Sequence, residues 1–145
     1  MTKPISEPVS MLIIDDNENF LKTISAYLVE HNAREILVLG TARSGQEGIR
    51  LARQLRPQVV LLDLKMPEVH GFDVIPLLRE VLPGIKIIST TLLSPEIFEQ
   101  VGEIYIQANS SAGGDGFIPK HDLTTQLVPA IQKMVQSIAQ RAVTP

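Results

Sequence analysis

Carboxylates, a hydroxyl and an ammonium group each follow a short apolar run in this sequence. The residues concerned are Asp15, Asp16, Asp63, Thr91 and Lys120. Like charges brought close together raise each other's pKa and cost stability, so three clustered aspartates would require a cation. Mg²⁺ suits such a site because it prefers oxygen ligands and binds through one or two carboxylates plus phosphate oxygens.

Asp63 is then free to act as a nucleophile toward a phosphoryl group and form an acyl phosphate. Lys120 would pair with the phosphate as a point charge, and Thr91 would donate its hydroxyl to a phosphate oxygen. Phosphoryl transfer requires little beyond such positioning and charge stabilisation. The residue types therefore predict a Mg²⁺-dependent phosphoryl acceptor, provided that the fold brings them together.

The run Val59 to Leu62 predicts a buried strand that ends at Asp63. An apolar run this short, without a polar residue at every second position, is typical of a parallel strand covered on both faces. Prolines at 57 and 67 bracket the run and confine regular structure to about the length of one strand. Asp63 would then lie at the carboxyl end of the strand, the edge of an open α/β sheet where ligands bind.

Apolar strand patterns and helical patterns alternate along the rest of the chain. The predicted strands are Met11 to Ile14, Ile36 to Leu39, Val59 to Leu62, Ile85 to Thr90, and Gly116 to Pro119. Gly40 is expected to end the second strand. Helices predicted between the strands have caps at Asn17, Ser44 and Ser94, and the helix capped by Ser94 begins at Pro95 and extends to about Ala108. The apolar stripe of the first helix is Phe20, Ile24, Tyr27 and Leu28, and the inward-facing residues of the second are Ile49, Ala52 and Leu55. Strict alternation predicts an α/β fold with a five-stranded parallel sheet and helices on both faces.

Composition limits the classes of function. A length of 145 residues is typical of a single domain, and 44% hydrophobic residues suffice for a full core. The net charge of −3 gives no basic face, so we expect no direct nucleic-acid binding by this chain. The sequence has no cysteines and no apolar run long enough to span a membrane. We therefore expect no membrane contact and a cytoplasmic location.

Four motifs in order give the sequence a clear resemblance to the receiver domains of response regulators in two-component signalling. They are Ile13 to Asp16, Leu62 to Pro67 with Gly71 after it, Thr91, and Asp115 to Lys120. The resemblance implies a doubly wound, flavodoxin-like sheet with strand order 2-1-3-4-5, as in a chemotaxis receiver. It covers roughly residues 9 to 140, which gives a flexible N-terminus (1–8), a receiver domain (9–140) and a tail (141–145).

The resemblance also assigns roles to single residues. Asp63 would accept a phosphoryl group from a histidine kinase or a phosphotransfer protein. Mg²⁺ would be held by Asp15, Asp16 and Asp63, with the main-chain carbonyl of Lys65 as a further ligand. The chain would catalyse at most its own phosphorylation and dephosphorylation, and so would not be an enzyme in the ordinary sense.

The same resemblance implies a switch that reads the phosphorylated state. Phe117 occupies the family's switch-aromatic position, which turns inward when Thr91 moves toward the phosphate. Because Thr90 and Thr91 are adjacent, Thr90 is the alternative switch hydroxyl. A homodimer partner or an output domain would bind the face that extends from the fourth helix to the fifth helix.

The sequence departs from the usual receiver pattern at two points. The segment between Thr91 and Lys120 is several residues longer than usual, so either the fourth helix or the loop from Asn109 to Gly114 should be longer. Leu92 stands where a small residue is usual, and would either narrow access to the phosphate or pack.

Two other functions compete with the receiver hypothesis. A phosphatase of the haloacid dehalogenase class requires a second carboxylate two residues after the nucleophile. Lys65 occupies that position here, which argues against such a phosphatase. The alternative that remains is a degenerate receiver that binds a protein partner without phosphate. The aspartates and Lys120 disfavour this alternative, whereas Leu92 and the longer segment keep it open.

Overall fold

Five strands and five helices alternate along the part of the chain that the computed structural model describes, residues 7–66 and 71–143. They are β1 (Val9–Ile14), α1 (Glu18–His31), β2 (Ile36–Ala42), α2 (Gly45–Leu55), β3 (Val59–Asp63), α3 (Gly71–Val81), β4 (Lys86–Thr90), α4 (Pro95–Ala112), β5 (Gly116–Phe117) and α5 (Leu123–Val143). A 3₁₀ turn, Lys120–Asp122, precedes α5. Most of the segment 1–8, residues 144–145 of the tail and Pro67 of the third-strand motif lie outside the described residues.

The strands form one parallel sheet, as the alternating pattern predicted, and their order is β2-β1-β3-β4-β5, as the resemblance implied. All carboxyl ends of the strands therefore lie at one edge of the sheet. Asn17, Ser44 and Ser94 cap α1, α2 and α4 through side-chain oxygens that accept backbone N–H groups, which confirms the three predicted helix starts.

Alternate residues of the central strands face two separate apolar cores. Met11 and Ile13 of β1 pack with α1 and α5, whereas Leu12 and Ile14 pack with α2 and α3. All five residues of β3 are buried, as a strand covered on both faces requires. Among the described residues, none of the helices combines the length and apolar character needed to cross a membrane.

Strand β2 is longer than the sequence predicted. Gly40 was expected to end it, but the strand continues to Ala42. The pairing register with β1 shifts between Met11 and Leu12, so that Leu39 is the extra residue of a bulge and Gly40 pairs with Leu12. Glycine therefore marks an irregularity within the strand instead of its end.

Helix α4 is also longer than expected, and it takes up the extra residues of the chain. It was predicted to end near Ala108, yet it continues to Ala112 and stops at Gly113, whose φ of 104° gives a left-handed cap. Asn109, expected in a loop, is buried in the helix. Its side chain accepts a hydrogen bond from the Ser89 hydroxyl and donates one to the carbonyl of Gly116 (2.9 Å), which ties α4 to β4 and β5.

Other differences concern single helix positions and the last strand. Leu55 of α2 was expected to face inward but is exposed, and Leu21 of α1 is buried although it was not predicted. Strand β5 ends at Phe117 and does not reach Pro119, so it is shorter than the sequence predicted. Ile118 still donates its N–H to the carbonyl of Ser89 (2.9 Å).

Candidate functional site

Asp15 lies just beyond the end of β1 and is fully buried. Its N–H donates to the carbonyl of Ala42 (2.9 Å), so the backbone hydrogen bonds of the sheet fix its position. One carboxylate oxygen, Oδ1, accepts the N–H of Asn17 (2.8 Å), and Oδ2 forms an ion pair with Nζ of Lys120 (2.8 Å). Asp15 is thus held by the start of α1 on one side and by the chain after β5 on the other.

Asp63 is the last residue of β3 and has only 4% of its surface exposed. Its Oδ1 accepts the N–H of Lys65 (3.1 Å), which holds the turn after the strand against the carboxylate. The next residue, Leu64, donates its N–H to the carbonyl of Thr90 on the neighbouring strand (2.9 Å). These hydrogen bonds hold the backbone around Asp63 rigidly, and so they also fix the position of its second carboxylate oxygen.

Gly71 lies directly against the backbone that carries Asp63. A Cβ atom at this position would be 2.5 Å from Cα of Leu64 and 2.6 Å from the carbonyl oxygen of Asp63. Real Cβ atoms do not approach backbone this closely, so any side chain here must displace Asp63 or α3.

We expect Gly71→Ala to lower the free energy of unfolding by about 1–3 kcal/mol because of this backbone clash. The measurement is chemical denaturation. Gly84→Ala is the matched control, since a Cβ at Gly84 would meet no atom within 4 Å. Equal stabilities of the two variants would contradict the close approach of Gly71 to Asp63.

The structure brings the three predicted carboxylates together. Oxygen atoms of Asp15, Asp16 and Asp63 all lie within 4.8 Å of one another. Asp15 and Asp63 are buried, Asp16 is half-buried, and the Lys120 ammonium lies beside Asp15. Three hard oxygen donors with a single ammonium beside them are a donor set that fits Mg²⁺. Lys65, predicted as a carbonyl ligand, follows Asp63 in the same turn.

The environment of Asp63 opposes its ionisation. Burial, the neighbouring charge of Asp15 and, less strongly, that of Asp16 raise the pKa of the Asp63 carboxyl group to about 6. The N–H of Lys65 and the ammonium of Lys120 act in the opposite direction but do not compensate. A bound cation would reverse this balance, because it would stabilise the ionised carboxylate.

Thr91 follows β4 and is joined to Lys120 through the backbone. The carbonyl of Thr91 accepts the N–H of Lys120 (3.1 Å), so the two predicted phosphate-binding residues lie side by side. The hydroxyl groups of Thr91 and of the alternative residue, Thr90, are both buried without a hydrogen-bond partner among the described residues. Each hydroxyl therefore has a donor that the described residues leave unused.

Phe117 lies against α4 and not in the carboxylate cluster. Its half-buried ring stacks between Tyr105 (centroids 5.7 Å apart) and Phe98 (6.2 Å apart), both on α4. Any change in the position of Phe117 must therefore alter its packing against α4. Sequence reasoning did not identify these partners, although Phe98 and Tyr105 are seven residues apart, a spacing that places them on one helix face.

Two further residues near the site differ from what the sequence indicated. Phe20 was assigned only to the apolar stripe of α1, but Nζ of Lys120 lies 4.2 Å from the centroid of its ring. Leu92 has 72% of its surface exposed, so it does not pack into the core.

A family model matches the chain over residues 11–132, and its description is response regulator receiver domain. The chain belongs to this family. The expected resemblance is therefore confirmed, and so is the predicted flavodoxin-like fold with strand order 2-1-3-4-5.

Curated relatives of this receiver chain include several regulators. The transcriptional regulatory protein MctR of Rhizobium johnstonii is 32% identical over 124 residues, which is 86% of this chain and 54% of that protein. The response regulator protein VraR of Staphylococcus saprophyticus is 30% identical over 126 residues, 87% of this chain and 56% of that protein. The chain spans about half the length of these relatives.

Solved receiver structures show the same fold. A CheY-like response regulator receiver domain protein from Methanospirillum hungatei matches with a TM-score of 0.72 at 20% identity, covering 93% of this chain and 99% of that one. The BeF3-activated receiver domain of DrrB matches with a TM-score of 0.67 at 22% identity, covering 89% of this chain and 98% of that one.

Proposed function

We propose that this receiver accepts a phosphoryl group on Asp63 from the phosphohistidine of a histidine kinase or a phosphotransfer protein. A carboxylate oxygen of Asp63 attacks phosphorus, the oxygen–phosphorus bond forms, and the phosphorus–nitrogen bond of the donor breaks as its imidazole takes up a proton. The observation that carries the proposal is the cluster of three carboxylate residues, Asp15, Asp16 and Asp63, with oxygens within 4.8 Å and the ammonium of Lys120 beside it.

Each residue has a distinct part in this proposal. Asp15, Asp16, Asp63 and the carbonyl of Lys65 would hold Mg²⁺, which would offset the negative charges of the carboxylate and of the incoming phosphoryl group. Lys120, now paired with Asp15 at 2.8 Å, also attracts the phosphoryl oxygens. The chain changes only its own phosphorylation state and acts on no other substrate.

Phosphorylation is read out through Thr91 and Phe117. The unpartnered hydroxyl of Thr91 donates to a phosphoryl oxygen, which draws the end of β4 toward Asp63. Phe117 responds because it lies beside β4, where Ser89 pairs with it in register. The ring then changes its stacking on Phe98 and Tyr105 and passes the change to α4.

The surface that receives this signal extends from α4 to α5. Ile97 and Ile104, seven residues apart on α4, are both exposed, with Val101 half-buried between them. Such a stripe is able to bind an apolar partner surface. We propose that a second copy of the chain or an output domain binds here, without nucleic-acid contact by this chain. The proposal includes a cytoplasmic location, where a kinase would present its phosphohistidine.

The test is NMR with Mg²⁺ and beryllofluoride, an analogue of the phosphoryl group. We expect the ring signals of Phe117 and the amide signals of α4 to shift in the parent chain. Thr91→Val should still bind beryllofluoride but lose most of the shift at Phe117, because valine has the same shape without the hydroxyl. Light scattering on the same samples would detect a dimer.

Thr90→Val is the matched control, since Thr90 is equally buried and equally unpartnered. If Thr90→Val removes the shift at Phe117 and Thr91→Val does not, Thr90 and not Thr91 is the switch hydroxyl. If beryllofluoride leaves the parent spectrum unchanged, the phosphorylation switch is wrong, and the phosphate-independent binding module takes its place.

A further inference from the structure

The ammonium of Lys120 has two partners of different kinds. One is the carboxylate of Asp15, whose Oδ2 is 2.8 Å from Nζ. The other is the ring of Phe20, whose centroid is 4.2 Å from Nζ, a distance typical of a cation–π contact. Only 13% of the Lys120 side chain is exposed, so water does little to screen either contact.

Phe20 is well placed to hold this contact. It lies in the first turn of α1, where Asn17 accepts its N–H (3.0 Å) and fixes the backbone. Its half-buried ring packs against the core formed by α1 and α5. A phenyl ring anchored at its base and facing a lysine ammonium forms a fixed platform for an otherwise flexible side chain.

The two contacts of Lys120 would respond differently when the site is loaded. A cation beside Asp15 compensates the charge of that carboxylate and weakens its attraction for Lys120. The attraction between the ammonium and the Phe20 ring does not involve that carboxylate, and an uncharged ring neither competes for the cation nor repels a phosphoryl group. The ring therefore keeps the ammonium at the site after the ion pair has weakened.

We propose that Phe20 is a positioning residue that holds the ammonium of Lys120 over the site and thereby strengthens binding of a phosphoryl group at Asp63. Its effect on Lys120 is independent of phosphorylation, whereas its effect on affinity rests on the proposed function.

The first test needs no ligand. Stacking over the ring should shift the NMR signals of the Lys120 side-chain methylene protons upfield in the parent chain. We expect Phe20→Leu to remove this shift and Phe20→Tyr to retain it, because leucine keeps the apolar packing without the ring. If the Lys120 signals are the same in the parent and in Phe20→Leu, the proposal is wrong.

The second test is a beryllofluoride titration in saturating Mg²⁺. We expect Phe20→Leu to bind beryllofluoride about three- to tenfold more weakly than the parent, and Phe20→Tyr to bind like the parent. Tyr27→Leu is the control, since Tyr27 is another half-buried aromatic residue of α1 in the same core, where its ring lies against that of His31 (centroids 4.5 Å apart). Equal weakening by Phe20→Leu and Tyr27→Leu would assign the effect to packing and overturn the proposal.

The two tests separate failure of this inference from failure of the proposed function. If the parent binds no beryllofluoride, the phosphoacceptor proposal and the affinity effect of Phe20 both fall. The Lys120 signals would still decide whether Phe20 positions the ammonium.

Discussion

Incubation with Mg²⁺ and acetyl phosphate is expected to add one phosphoryl group to the parent chain and none to the Asp63→Asn variant. Asparagine keeps the size of the side chain and an oxygen that can accept the N–H of Lys65, but its amide is not a nucleophile toward phosphorus. Asp63→Asn should therefore abolish phosphorylation completely. Intact-mass measurement detects it directly, since each transfer adds the mass of one phosphoryl group.

The control for this experiment is Asp73→Asn, which removes an exposed aspartate on α3. It should be phosphorylated like the parent. Omission of Mg²⁺ should suppress the adduct in both chains, because Asp15 and Asp16 otherwise repel an anionic donor. An adduct of equal size in Asp63→Asn would show that another residue accepts the phosphoryl group and would refute the assignment of Asp63.

The residues of the site were predictable because they lie at the ends of strands. A short apolar run that ends in a carboxylate predicts both the strand and the position of its last side chain, as β1 with Asp15 and β3 with Asp63 show. A parallel sheet brings such strand ends to one edge. The pattern alone therefore predicted that Asp15, Asp16 and Asp63 would meet, and the structure places their oxygens within 4.8 Å.

The features that the sequence did not reveal depend on contacts between distant segments. Asparagine is common in loops, but Asn109 is buried in α4, because Ser89 and the carbonyl of Gly116 form hydrogen bonds with its side chain. Glycine often marks the end of a strand, but a bulge opposite β1, between Met11 and Leu12, keeps Gly40 within β2. Phe20 resembles any apolar residue of an amphipathic helix until the chain after β5 places Lys120 over its ring. Local patterns carry no information on these partners.

Without Mg²⁺, the parent chain should lose stability relative to Asp63→Asn as the pH rises from about 4 to about 7. The pKa of Asp63 is raised from 3.8 to about 6 in the folded protein, so the folded state holds the proton more tightly than the unfolded state. The stabilising effect of that proton is complete below the unfolded value and is lost as the pH rises through the folded value. The total loss is up to about 3 kcal/mol.

Asparagine carries no such proton, so the difference in free energy of unfolding between Asp63→Asn and the parent should increase across this pH range. Urea denaturation at several pH values measures this difference, which cancels the titration of carboxylates that do not interact with Asp63. Asp73→Asn is again measured alongside, as the control for loss of an exposed carboxylate on α3. A difference between Asp63→Asn and the parent that stays constant would contradict the raised pKa.

At neutral pH with Mg²⁺, the parent chain should become more stable than Asp63→Asn. A cation that binds the folded parent stabilises it by mass action, and its charge offsets the repulsion among Asp15, Asp16 and Asp63. Asp63→Asn has lost one of these carboxylates and should gain less stability from the same Mg²⁺ concentration. An equal gain in both chains would place the cation away from Asp63. The expected loss of stability without metal and the expected gain with Mg²⁺ thus have one cause, which is the burial of Asp63 beside two further carboxylates.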